Sequence, residues 1–339
     1  MKENNRRAVQ EYLLKLLDRK DKDCVRKTME TFSVSRSTVY NYISELTAQG
    51  VIEKTGDGCR LAVRVAEFLY QTDEKLQEDR IFSRDILPYL EMFPDNVQRM
   101  WQYAFTEMMN NAIEHSGAKT IRVRIEQNAV HTEICIADDG VGIFENIRSY
   151  VERVKKEEIT LKEAASLLLA GKFTTDHSHH SGEGIFFTSH LMDRFAISSD
   201  RTLFSRDSFD DRQTEHTRDE KGTTVQMSLS NHSKKELREV FNRFSDDDYE
   251  FTKTNIPVAH MFASDPVSRS EARRLCEMLT PFRQATLDFS GVEFIGQAFA
   301  HEIFAVFQSQ NPEFVLMVEN AGEAVEKMIR RAKSALRQM

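Results

Sequence analysis

The chain has 339 residues, of which 40% are hydrophobic and 29% charged, with a net charge of −8. That is enough for two or three domains with sizeable cores, and the balance is that of an ordinary globular protein. No apolar run reaches the length of a membrane span, and Met1 to Arg19 lacks a signal-peptide core, so a cytoplasmic location is expected. Cys24, Cys59, Cys135 and Cys276 lie far apart without a CxxC pair, which excludes a disulfide framework or a zinc site of ordinary spacing. The charge is uneven: residues 1–65 hold 13 Lys/Arg against 9 Asp/Glu, a net +4, leaving −12 for the rest. A mildly basic end on an acidic chain permits contact with nucleic acid.

The N-terminal stretch RRAVQEYLLKLLDRK repeats apolar residues at Val9, Leu13, Leu16 and Leu17, a helical spacing. A second helix fits Cys24 to Phe32. In SVSRSTVYNYISELTAQG, Ser35 is the expected N-cap, Val39, Ile43 and Leu46 form one apolar face, and Gly50 ends the helix. Two short strands around TGDG then form a hairpin. Three helices and a hairpin make a winged helix-turn-helix, and the stretch resembles the recognition helix and wing of bacterial transcription regulators. Ser35, Arg36, Ser37, Thr38, Tyr40 and Asn41 are the expected contacts to double-stranded DNA. A winged helix that binds protein is the alternative.

The central segment alternates helices and strands. Val97 to His115 reads as a long helix with Met100, Ala104, Met108 and Ile113 on an apolar stripe. TIRVRIEQ and VHTEICIAD alternate like an antiparallel hairpin. Helices follow at Ile147 to Lys156, Leu161 to Ala170 and from about Glu183, and strands at RFAISSD and GTTVQMSLS. The stretch between those strands reads as a charged hairpin or loop.

Four elements stand in order: Glu107 and Asn111 one turn apart, Asp138-x-Gly140-x-Gly142, Gly182-x-Gly184, and Gly222-Thr223. Their order and spacing resemble the GHKL ATPase superfamily of gyrase, mismatch-repair ATPases, Hsp90-type chaperones, histidine kinases and anti-sigma serine kinases. The resemblance implies ATP and Mg²⁺ as cofactors and an α/β sandwich of the GHKL type. Asn111 offers an oxygen ligand to Mg²⁺, and Glu107, on the same helix face, suits a general base toward water. By resemblance, Asp138 accepts from the adenine amino group, Gly140 and Gly142 let backbone approach the base, and Thr223 lines the pocket floor. Gly182 and Gly184 lead into a helix N-terminus that can meet phosphate. Lys172 and Thr174 are candidates for the γ-phosphate. Asn110 reads as a capping or solvent residue, His115 as structural, and DHSHH (Asp176 to His180) as part of a polar lid. No phosphoacceptor histidine precedes Val97 where a histidine kinase needs one, and no distal lysine of the gyrase type stands out. Slow hydrolysis or nucleotide sensing therefore suits the chain better than fast turnover.

SDDDYE (Ser245 to Glu250) reads as a linker. Beyond it, SRSEARRLCEMLTPF, GQAFAHEIFAVFQSQ and AGEAVEKMIRRAKSAL read as helices, and QATLDFSGV and EFVLMVEN as strands, a small α/β layer. LDFSGVEFIGQAFAHEIFAVF resembles STAS domains, the fold of anti-sigma-factor antagonists. The phosphorylatable serine of those antagonists aligns with Ala298 here, so phosphoacceptor function is not expected, and Ser290 suits a turn or cap. Docking of a partner protein or a second copy is the expected role.

The expected organisation is a multidomain α+β chain. It has a winged helix over 1–68, a linker over 69–83, the GHKL domain over 84–232, a linker helix over 233–250 and a STAS-like domain over 251–339. The favoured function is an ATP-dependent DNA-binding transcriptional regulator of bacterial type, with slow hydrolysis and a homodimer on DNA. The alternatives are an anti-sigma-type protein serine kinase acting on a separate STAS partner and an adaptor that binds ATP without hydrolysing it.

Overall fold

The computed structural model describes residues 3–56, 58–73, 75–156, 158–173, 182–199, 201–207, 211–215, 221–248, 250–262 and 264–336. The chain begins with helices α1 (Glu3–Asp18), α2 (Cys24–Phe32) and α3 (Arg36–Ala48), followed by the hairpin β1 (Ile52–Thr55) and β2 (Gly58–Leu61). Leu13, Leu17, Val39, Ile43, Leu46, Ile52 and Leu61 form a core of their own, so the apolar stripes of the helices meet as their spacing requires. Ser35 caps α3: its hydroxyl accepts from the Thr38 N–H at 3.2 Å. Ser35→Ala is expected to cost about 1 kcal/mol of stability in urea unfolding. An unchanged midpoint would mean that the cap contributes nothing here.

Strand β3 (Arg64–Gln71) follows at once and pairs antiparallel along its whole length with β4 (Thr120–Gln127), which pairs with β5 (His131–Asp138). Between β3 and β4 lie α4 (Glu78–Ile81), a π-helical turn (Phe82–Ile86), α5 (Leu87–Leu90) and the long α6 (Asp95–Glu114). The expected boundary at residue 68 and the linker over 69–83 therefore need correction. β3 is an edge strand of the central sheet, and Ile81, Phe82 and Ile86 are buried in its core.

After β5 come α7 (Ile143–Lys155), α8 (Leu161–Ala170), α9 (Gly184–Leu191), β6 (Arg194–Ser199), β7 (Thr202–Asp207), β8 (Asp211–Glu215) and β9 (Thr223–Ser230). The sheet runs β3-β4-β5-β9-β6-β7-β8, every neighbouring pair antiparallel. Strand alternation sends Ile121, Val123 and Ile125, then Ile134 and Ile136, then Val225, Met227 and Leu229 to the inner face. Helix α6 lays Val97, Met100, Trp101, Ala104, Phe105, Met108 and Ala112 into that core.

Helix α10 (Leu237–Phe244) is not a free linker, which corrects the reading of 233–250: Phe241 stacks on Phe187 of α9 at 4.2 Å, and Phe244 is buried. Phe251 packs on Phe186, Phe187 and Phe282 at 4.7, 4.9 and 5.1 Å. One continuous core thus runs from the central sheet into the C-terminal layer. That layer contains β10 (Lys253–Pro257), α11 (Val258–Met261), α12 (Arg269–Leu279), β11 (Gln284–Asp288), α13 (Gln297–His301), a π-helical stretch (Glu302–Phe307), α14 (Gln308–Gln310), β12 (Val315–Glu319) and α15 (Glu323–Leu336). Its three strands are parallel, ordered β10-β11-β12. Strand β10 has no counterpart in the sequence reading. Ser290 makes a turn, its N–H and Oγ–H both donating to Asp288 Oδ1 at 2.9 and 2.8 Å, while Ala298 is exposed. Among the described residues no helix is long and apolar enough to cross a membrane.

Candidate functional site

Strand periodicity delivers the first site residue. On β5, Thr132, Ile134 and Ile136 point inward in turn, and Asp138 is the next position on that face. Two backbone donors meet its Oδ1, Gly140 N–H at 2.9 Å and Thr223 N–H at 3.2 Å. Burial nevertheless holds the Asp138 carboxyl above the usual carboxylate range. Oδ2 receives neither backbone donor, so it remains able to accept from a ligand.

Thr223 heads β9, beside β5 in the sheet, and is buried; its hydroxyl accepts from the Ile143 N–H at 3.0 Å and so ties β9 to the first turn of α7. Gly222 before it has φ +89°, and a Cβ there would run into the Asp138 carbonyl. Asp139 faces the other way and fastens the turn, its carboxylate accepting from the Lys119 and Thr120 N–H groups at 2.7 and 3.0 Å.

Helix α6 supplies Glu107 and Asn111, four residues apart and both half-buried at the edge of the apolar stripe. The first turn of α9 approaches Glu107 closely, since a Cβ on Gly184 would collide with Glu107 Oε2. Glu107 and Glu183 both press on Tyr103. Burial first, and then those two charges, push the Tyr103 phenol far above its ordinary range.

One cavity collects these groups. Glu107, Asn111, Asp138, Gly142, Gly182, Gly184 and Thr223 all line it, between α6, the ends of β5 and β9, and the N-termini of α7 and α9. Its walls are apolar: Met108, Ile136, Ile143, Ile147, Ile197 and Val225. An apolar cavity with the buried Asp138 carboxylate on its lining suits a heteroaromatic base with an exocyclic donor. The open N–H groups of α9's first turn suit an anion. Among the described residues no group of three His, Cys, Asp or Glu could hold a metal ion. A divalent cation here would therefore depend on Asn111, neighbouring Glu107, and oxygens brought by a ligand and water, the pattern suited to Mg²⁺.

Two expected site residues lie elsewhere. Gly140 stands behind the lining, its Cα packed on the Ser116 carbonyl, and serves by donating to Asp138. Lys172 is outside this cavity: its ammonium donates to the Pro281 carbonyl at 3.3 Å and sits over the rings of Phe251 and Phe282. Thr174 and the DHSHH stretch lie outside the described residues. His115, Asn146 and Glu183 line the cavity too, and the sequence reading gave them no part. Asn146 donates to the His115 carbonyl at 3.3 Å, joining α7 to the end of α6. Its one visible signal is an amide one turn into a helix that starts at a site glycine.

On the N-terminal helices, Arg36, Ser37, Tyr40 and Asn41 are exposed on α3, and the Arg36 guanidinium lies 5.6 Å from the Tyr40 ring centre. Ser35 is occupied by capping, its hydroxyl 2.8 Å from both Ser37 Oγ and Thr38 Oγ1.

Residues 96–233 match the family model of histidine kinase-, DNA gyrase B- and HSP90-like ATPases, and residues 271–326 match that of a STAS-like domain of unknown function. No curated protein matches the chain. The ATPase match spans α6 to the end of β9, the elements that build the cavity. The chain thus carries a GHKL-type ATPase domain followed by a STAS-like domain.

Proposed function

We propose that the cavity binds Mg-ATP and that the protein is a nucleotide-dependent regulator whose N-terminal helices and hairpin act as a DNA-binding winged helix. The convergence of Glu107, Asn111, Asp138, Gly184 and Thr223 on one apolar cavity carries this reading. Asp138 would accept from the adenine amino group through Oδ2, with Thr223 on the pocket floor. The first turn of α9 would receive phosphate, and Asn111 would ligate Mg²⁺, which holds the phosphates together and offsets their charge. Glu107 would take a proton from the water that attacks the γ-phosphorus. Calorimetry with ATP, with and without Mg²⁺, tests the site. A chain that gives no heat with either has no such site.

For the regulator, ATP moves the protein between arrangements only by binding one of them more tightly. The observation that favours DNA is the polar, exposed face of α3 on a segment with a net charge of +4. Because that excess is small, tight binding is proposed for a dimer on paired half-sites about one helical turn, or a multiple of it, apart. Arg36→Ala should cost roughly 1–3 kcal/mol and relax specificity at one position if Arg36 reads a guanine edge. If it meets only phosphate, binding should weaken across all sequences and the salt slope should fall by about one. Footprinting on the protein's own promoter, with and without Mg-ATP, measures both. Phosphate transfer to a separate STAS-domain protein, with no DNA retained, would favour the serine-kinase alternative.

A further inference from the structure

A second and larger cavity lies between α7, α8 and the C-terminal layer. Its volume is about 380 Å³, within the roughly 300–1,000 Å³ of small-molecule sites. Val151, Leu167 and Phe173 line it from the central domain, and Phe262, Met278 and Pro281 from the C-terminal one. Its charged groups are few, and they differ in how they are partnered. Glu163 and Arg274 pair with each other at 3.3 Å, and Glu163 is further held by the cap of α8. Among the described residues, Lys172 is met by the Pro281 carbonyl at 3.3 Å and by two ring faces, with Phe251 at 5.5 Å and Phe282 at 5.2 Å. Among the described residues no carboxylate forms an ion pair with it, although Glu277 lies on the same lining.

We propose that this cavity is an effector site for a small amphipathic carboxylate, whose apolar body fills the space between the domains and whose anionic group binds the Lys172 ammonium. An apolar cavity with a fixed cation at one edge favours a ligand with that division of polarity. A neutral alcohol of the same length would leave the charge unanswered. An alkylamine would set two cations together.

The site has a direct route to the nucleotide cavity, because Phe173 lines both. Lys172 is its chain neighbour, and Gly171 before it packs against the Phe186 and Phe251 rings. A ligand that repositions Phe173 changes the wall of the other cavity, so the two affinities are coupled by one reciprocal factor. This coupling rests on the ATP reading above; occupancy of the cavity does not.

Calorimetry on the full chain without nucleotide provides the test, with hexanoate, octanoate and decanoate as probes and octanol and octylamine as controls. The carboxylates should bind saturably, one per chain, and more tightly than either control. Lys172→Gln should weaken octanoate about tenfold or more while leaving octanol unchanged. Val154→Trp, at an exposed position on the cavity lining, should block octanoate and octanol alike without disturbing a core. No saturable carboxylate binding overturns the proposal. So does equal octanoate affinity in Lys172→Gln, or full affinity in a folded Val154→Trp. Repeating the titration with Mg-ATP separates the two claims. An unshifted affinity in a chain that binds ATP overturns the coupling, whereas failure to bind ATP defeats the nucleotide reading and leaves the cavity result standing.

Discussion

Glu107→Gln is expected to bind Mg-ATP much as the unaltered chain does and to hydrolyse it about 10²–10⁴-fold more slowly, the usual cost of losing a general base. The amide keeps the volume that the Gly184 backbone packs against, so the first turn of α9 stays where it is. It removes only the ability to take a proton. Asn111, one turn further along α6, is untouched, so the metal-dependent part of the affinity should persist. Single-turnover hydrolysis together with calorimetry on the same sample separates the two effects. If the unaltered chain shows no hydrolysis above buffer, Glu107 has no such role, and the protein senses ATP without consuming it. If Glu107→Gln loses binding as well, the carboxylate is acting on the nucleotide or its metal and not on water.

The direction of side chains in the candidate site was legible in the sequence wherever local periodicity sets it, while the choice of Asp138 came from the resemblance alone. Glu107 and Asn111 share a helix face because they are four residues apart, and Asp138 faces inward because it continues the alternation of Ile134 and Ile136. What the sequence hid depends on pairing between distant segments. RVAEFLYQ carries only a weak alternation and leaves Val65 and Leu69 exposed, so nothing local says that it joins β4 more than fifty residues later. Strand β10 is short, ends at Pro257 and lies at the edge of a parallel sheet whose other strands come much later, so it has neither length nor a hairpin turn to announce it. The same limit explains the linker over 233–250. Phe241, Phe244 and Phe251 read as scattered aromatics until the structure packs them against α9. Lys172 shows the limit at a single residue. Its place just after α8 and before the second glycine pair is visible in the chain, but that it lines the second cavity, with its ammonium against Phe251, Pro281 and Phe282, depends on contacts with distant segments.

Asp138→Asn should separate stability from binding, and in opposite directions. The buried carboxyl is held above its unfolded range, so the folded chain binds more protons than the unfolded one between those two values. Stability contributed by this group therefore falls as pH rises through that window, and at neutral pH the full desolvation cost of the carboxylate is present. An asparagine carries no such charge. It can still present an oxygen to the Gly140 and Thr223 N–H groups that now meet Oδ1. The ligand-free variant should accordingly melt at or above the midpoint of the unaltered chain at neutral pH. That advantage should shrink toward acid pH, where Asp138 becomes protonated and neutral. Binding should move the other way. An amide whose oxygen is held by the backbone turns an N–H group toward the adenine amino group, donor against donor, where the carboxylate offered an acceptor. Losing a hydrogen bond to a charged group costs about 1.5–3 kcal/mol, roughly ten- to more than a hundredfold in affinity. Thermal melts across pH and ATP calorimetry on the two proteins give both readings. A variant that melts no lower yet binds ATP as tightly as before would remove Asp138 from the base pocket. A variant that loses both would show that the carboxylate's bonds to β9 hold the fold as well as the ligand.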